Sequence, residues 1–124
     1  MKKYKRVYIC SPLRADTWSE VLQNMKKAQQ FIELAAVKYE CRALALHAYL
    51  PFVLDDNEPD ERALALEFGL RLIDLCDALI VCGDVISEGM RGEIVYAAKL
   101  GIPVLTLDNS STIKSTIQTI IREN

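Results

Sequence analysis

The sequence predicts a doubly wound α/β fold, and two observations carry that prediction. Short runs rich in Val, Ile, Leu and Ala alternate with longer stretches of helical periodicity, and the most apolar run, Ala78-Leu79-Ile80-Val81-Cys82, shows no polar alternation at all. Strands alternating with helices build right-handed parallel crossovers, and a strand apolar at every position is one covered on both faces.

The elements follow in order. Arg6-Val7-Tyr8-Ile9-Cys10, closed by Ser11-Pro12, is a buried first strand ending in a loop. Asp16 or Thr17 caps a helix that runs to about Tyr39, with Val21, Leu22, Met25, Ala28, Ile32 and Ala35 on one stripe. Ala43-Leu44-Ala45-Leu46 forms a second strand, followed by His47-Ala48-Tyr49-Leu50-Pro51 and the acidic loop Asp55-Asp56-Asn57-Glu58-Pro59. A second helix starts at Asp60 or a neighbour and reaches about Leu75. Ala78 to Cys82 is the third strand, ended by Gly83. A third helix starts near Ser87 and stops at Gly101, where Gly before Ile102-Pro103 is a helix exit. Val104-Leu105-Thr106-Leu107 is the last strand, and residues 112–122 form the closing helix. The sum is a parallel sheet of four to five strands in a three-layer, Rossmann-like or flavodoxin-like sandwich, without internal repeats or linkers.

The 124 residues suit one domain spanning 1–124, with hydrophobic residues at 51% and charged ones at 26%, the composition of a folded domain. A formal charge of −2 argues against nucleic-acid polymers as partners, because that binding needs a positive excess. The basic start, Met1-Lys2-Lys3-Tyr4-Lys5-Arg6, reads as a solvated lead-in to the first strand. No stretch approaches the ~20 apolar residues of a membrane helix, and no signal sequence opens the chain, so a soluble cytoplasmic protein is expected. Four cysteines without C-x-x-C spacing and a single histidine suggest neither a metal site nor a disulfide framework, and no cofactor is expected.

In open α/β sheets ligands bind beyond the carboxyl ends of the strands, where strand order reverses. Ser11 to Asp16, His47 to Asp56, Gly83 to Glu93 and Asp108 to Ser111 are therefore the segments to interrogate. Ser87-Glu88-Gly89-Met90-Arg91-Gly92-Glu93 opens a helix after the most apolar strand, so its unpaired amides outline an anion site. Ser87 is placed as N-cap, and Gly89 removes a side chain where a phosphate or sugar could approach. Glu93 lies about two turns in and leans back toward the same crevice, at the margin of the buried stripe that Met90 and Ala97 share. Read alone, Glu93 is also what a dipole-compensating surface residue looks like, Asp77 a turn residue, His47 a hydrogen-bonded structural histidine, and Ser11 with Arg14 a turn.

Together the run Val7-Tyr8-Ile9-Cys10-Ser11-Pro12-Leu13-Arg14, the run Cys76-Asp77-Ala78-Leu79-Ile80-Val81, Ser87-x-Gly-x-x-x-Glu93 with Tyr96-Ala97, and Gly101-Ile102-Pro103-Val104 resemble the nucleoside 2-deoxyribosyltransferase superfamily. The Ser-x-Gly-x-x-x-Glu form is closest to its 2′-deoxynucleoside 5′-monophosphate N-glycosidases, and residues from His47 to Arg62 resemble an uncharacterised bacterial and phage branch. The resemblance covers residues 7 to 105.

It implies retaining glycosyl transfer on a nucleoside or nucleotide. Glu93 matches the nucleophile that attacks the anomeric carbon, and Asp77 the aspartate that helps protonate the departing base. Ser87 falls where the monophosphate glycosidases bind phosphate, in the same Gly89 and Met90 loop; Ser11 and Arg14 match first-loop residues near that phosphate, and Tyr8 a first-strand aromatic beside the site. His47 joins them as a substrate-binding candidate. Such chemistry asks Asp77 to have a raised pKa. Glu88 and Arg91 depart from the glycosidase loop, and the acidic stretch Asp55 to Glu58 would repel a phosphate brought near it. Small members of the superfamily commonly form homo-oligomers, which sets the expectation here. The alternative class is a nucleotide-binding sensor that keeps the crevice without turnover; a flavodoxin or phospho-acceptor domain is disfavoured by Ser11-Pro12 after the first strand.

Overall fold

The computed structural model describes residues 3–124, so Met1 and Lys2 of the basic lead-in lie outside the described residues. Four strands, β1 (Arg6–Cys10), β2 (Arg42–Leu44), β3 (Ala78–Val81) and β4 (Val104–Thr106), form one parallel sheet in the order β2-β1-β3-β4. Val7 sits between Ala43 and Ala78 in register, and Leu79 opposite Val104 carries the sheet outward. The expected four to five strands resolve as four.

Helices cover both faces. Helix α1 (Trp18–Tyr39) packs Ala35 and its neighbours Phe31 and Ile32 on Val7, Ile9, Ala78 and Ile80. On the opposite face, α2 (Pro59–Asp74), α3 (Glu88–Leu100) and α4 (Ser111–Arg122) bring Ile73, Ile94 and Ile117 onto Tyr8, Cys10, Leu79 and Val81. The period of two in β1 and β3 thus divides each strand between two cores, which is why β3 is apolar throughout and β1 is buried from Val7 onward.

The ends of the helices follow local chemistry. Thr17 Oγ1 accepts from the Glu20 amide, Ser87 Oγ from the Met90 amide and Ser110 Oγ from the Ile113 amide, each satisfying an otherwise orphan donor. Gly101 closes α3 at φ 80°, where a side chain would be strained. The α1 stripe is only partly sealed: Met25, Ala28 and Ala35 are buried, whereas Val21, Leu22 and Ile32 remain half-buried.

One segment departs from the expected course. The second strand ends at Leu44, and the chain folds into two short 3-10 turns, Leu46–Ala48 and Leu50–Phe52. Ala48 is buried against α1, where Gln29 Nε2 donates to its carbonyl, so packing on α1 replaces strand pairing. Those turns bring His47 over the carboxyl end of the sheet.

The strand order reverses beside β1, because β2 lies on one side of it and β3 on the other. The carboxyl ends of β1 and β3 therefore flank the crevice where a doubly wound sheet receives its ligand.

Candidate active site

A cleft of about 500 Å³ opens at that switch point, and Arg14, His47, Ser87, Gly89, Met90 and Glu93 all line it. Six of the nine residues singled out from the sequence therefore share one cavity. Tyr8 and Ser11 stand behind the lining and hydrogen-bond to two residues in it, Glu93 and His47 respectively.

Glu93 is the centre of this arrangement. Its place on the second turn of α3 puts the carboxylate over the end of β1, where the Tyr8 hydroxyl donates to Oε2 at 2.5 Å. Oε1 is buried without a hydrogen-bond partner of ordinary geometry. Burial raises the Glu93 pKa; the His47 charge and the Tyr8 and Cys10 side chains pull the other way without cancelling it. Tyr8 is itself wholly buried, and desolvation together with the Glu93 charge holds its hydroxyl far above the usual tyrosine range, so it stays a donor. Burial and Glu93 likewise push the Cys10 thiol up, which keeps this cysteine protonated.

His47 Nδ1–H donates to the Ser11 carbonyl at 2.9 Å, which fixes the ring against the loop after β1 and leaves Nε2 as its other nitrogen. Ser11 Oγ is buried and unpartnered. A buried polar atom left unsatisfied costs about 1–3 kcal/mol, and two of them, Ser11 Oγ and Glu93 Oε1, flank this one region.

The start of α3 forms one wall of the cleft. Ser87 Oγ accepts from the Met90 amide at 3.3 Å, so its own proton is still available to a ligand. A Cβ added to Gly89 would meet nothing within 4 Å, so the open surface there belongs to the cleft. Met90 is buried, with its amide on Ser87 and its carbonyl receiving the Cys10 thiol at 3.8 Å; it anchors the loop and also touches the cavity. Arg14 is exposed at the rim. The acidic loop is partly neutralised: Arg62 Nη1 lies 3.1 Å from Asp56 Oδ2, and both line the cleft. Glu58, Asp60 and Glu61 cluster at the start of α2, outside the cleft lining, where acidic groups complement the helix dipole.

Asp77 is the correction. It immediately precedes β3 and so lies at the amino edge of a parallel sheet, whereas Glu93 stands at the carboxyl edge. Its Oδ2 accepts from the Arg6 amide at 3.1 Å and the Lys5 amide at 2.7 Å, and the group is exposed. Those two amides lower its pKa, the reverse of what an acid for the departing base requires. The structure does not bring Asp77 to Glu93.

Gly69 is the residue that sequence reading missed. A Cβ there would stand 3.1 Å from Glu93 Oε2 and 3.3 Å from the Tyr8 hydroxyl, so the bare α2 backbone makes room for the buried pair. A glycine inside a helix costs about 1 kcal/mol against alanine, which was the available signal.

Fold and site together define an α/β protein with a buried carboxylate at the switch-point cleft. The chain belongs to the family described as "Domain of unknown function (DUF7768)", whose model matches residues 5–107. No curated protein matches the sequence. Among solved structures it is similar to a 2-deoxyribosyltransferase from the psychrotolerant bacterium Bacillus psychrosaccharolyticus, with a TM-score of 0.58 and 19% identity over 82% of this chain and 70% of that one. That likeness is one of fold. Among the described residues no helix is long and apolar enough to cross a membrane.

Proposed function

We propose that this protein cleaves or transfers at the N-glycosidic bond of a 2′-deoxyribonucleoside or its 5′-monophosphate, through a covalent intermediate on Glu93. The observation that carries this reading is the Glu93 carboxylate itself: held by Tyr8 through Oε2, unsatisfied at Oε1, and lining a cleft large enough for a nucleotide. The resemblance of the Ser87-x-Gly-x-x-x-Glu93 motif and the fold shared with a 2-deoxyribosyltransferase point the same way.

The chemistry fits the geometry. Breaking the bond between a deoxyribosyl C1′ and a base nitrogen develops positive charge on the sugar, and a preorganised carboxylate both stabilises that charge and collapses onto it. The C1′–N electron pair leaves with the base while a new C1′–O bond forms to Glu93. Water or a second base then attacks C1′, and Glu93 departs as carboxylate. Tyr8 donates to the carboxylate, so it orients the nucleophile and shares its charge in the resting state. Ser87, Gly89 and Arg14 would receive the 5′ end of the substrate, by hydroxyl, amides and guanidinium respectively.

Assembly with a second copy belongs to the same reading. Trp18 lines the cleft and meets the exposed Phe52 edge to face, and Val53 next in the chain is exposed as well, which leaves apolar side chains uncovered near its mouth.

The test is direct. Purified protein is incubated with each deoxynucleoside and deoxynucleoside monophosphate, with and without a free acceptor base, and base release is followed by chromatography. Release from at least one compound, lost by on the order of 10³-fold or more in Glu93→Gln, is the expected result. Tight binding of a nucleotide with no release from any compound would replace the enzyme by a binding module.

A further inference from the structure

Removing Asp77 from the site leaves the departing base without a proton donor. A neutral purine or pyrimidine leaves poorly as an anion, so a positioned acid is worth about 10²–10⁴-fold.

The groups around the cleft can be taken in turn. From β1, the Tyr8 hydroxyl is committed to Glu93 and the Cys10 thiol to the Met90 carbonyl, and burial holds both protonated. From the loop after β1, Arg14 and Asp16 are both exposed at the rim. From the segment before α2 and from α2 itself, Asp55 Oδ1 accepts from the Asn57 amide and Asp56 is paired with Arg62. From α3, Glu88 is exposed in the first turn. Two residues remain that line the same cleft: Glu93, and His47, whose ring is fixed through Nδ1 on the Ser11 carbonyl.

We propose that His47 is the acid and base of this site, giving a proton from Nε2 to the departing base and taking one from the water that attacks the intermediate. This deepens the glycosidic reading and rests on it. The ring is suited to the exchange, because Nδ1–H stays on the Ser11 carbonyl in both charge states while Nε2 alone gains or loses a proton. In the first half, the C1′–N bond breaks, its electron pair stays on the base, the base nitrogen takes the Nε2 proton, and C1′ bonds to Glu93. In the second half, water bonds to C1′, its proton goes to Nε2, and the C1′–O bond to Glu93 breaks, restoring carboxylate and imidazolium. The loop carbonyl of Ser11 is a positioning element here, aiming a ring that the 3-10 turn of Leu46–Ala48 carries over the cleft.

The experiment compares leaving groups. Wild type, His47→Gln, His47→Asn and Glu93→Gln are assayed on a deoxynucleoside that wild type cleaves and on the analogue whose base leaves without a proton, a 7-methylated purine or a 5-nitropyrimidine. The asparagine variant retains an N–H donor for Ser11 near the position of Nδ1, so it tests proton transfer with the loop contact preserved. For both His47 variants, cleavage of the ordinary substrate is expected to fall by about 10²–10⁴-fold and that of the activated analogue by less than about 10-fold. The fall of wild-type kcat/KM at high pH, set by the acid losing its proton, is expected to vanish in the His47 variants. Glu93→Gln loses both substrates. Equal losses on the two substrates, or no loss, in the His47 variants would overturn the assignment while leaving the glycosidic reading standing. Failure of wild type to cleave either substrate would remove both.

Discussion

Glu93 is a carboxylate kept where burial opposes its charge, and that conflict has a measurable signature. Its folded pKa is raised above the value of an exposed glutamate, so the unfolded chain ionises first as pH rises, and stability declines between the ordinary glutamate pKa and the raised one. Glu93→Gln carries no such penalty. Its melting temperature is expected to exceed that of wild type at neutral pH, and the difference to shrink as pH falls below the ordinary glutamate range; a constant difference across pH would contradict the burial account. Asp77 behaves in the opposite sense. The Arg6 and Lys5 amides lower its pKa, so its contribution to stability is present above the unfolded value and is lost as pH falls through the folded one. Asp77→Asn is expected to weaken the amino edge of β3 at neutral pH, seen as a lower urea midpoint, while kcat stays within about twofold of wild type. Both residues were conspicuous in the sequence as acids flanking β3, but only strand polarity tells them apart. A residue before a parallel strand and one in the helix after it stand at opposite edges of the sheet.

Elements were legible where local chemistry decides them. Ser87 reads as a cap and caps α3; Gly101 before Ile102-Pro103 reads as an exit and adopts φ 80°; the unbroken apolar run of β3 is buried on both faces. The segment from Ala45 to Leu54 was not legible as two 3-10 turns, because its apolar residues carry neither period and its course is set by packing on α1. Gly69 escaped for a related reason: its role lies in the close approach of α2 to a carboxylate 24 residues later, which no local pattern encodes. The helix nevertheless makes a test possible. Gly69→Ala would gain about 1 kcal/mol of helix propensity, but its Cβ would press on Glu93 Oε2 and the Tyr8 hydroxyl. Thermal stability is therefore expected to change little while kcat falls by about 10²-fold, since a misplacement of about 1 Å can cost that much. Unchanged turnover would show that the tight approach of α2 has no bearing on the nucleophile.

At the scale of the molecule, the order β2-β1-β3-β4 gathers the site. It sets the loop after β1, the turn carrying His47 and the start of α3 around one cleft, so residues distant along the chain meet at the reversal point. The exposed Trp18, Phe52 and Val53 at its mouth are expected to be covered by a second copy, and sedimentation equilibrium should return a mass above that of one 14.0 kDa chain, with Phe52→Ser shifting it downward. A monomer at all concentrations would leave that surface to another role. The central claim is the covalent bond to Glu93. Rapid acid quench of the protein with a deoxynucleoside it cleaves, followed by peptide mass spectrometry, should find one 2-deoxyribosyl group on the peptide containing Glu93 and none in Glu93→Gln; base release without that adduct, undiminished in the variant, would contradict the account.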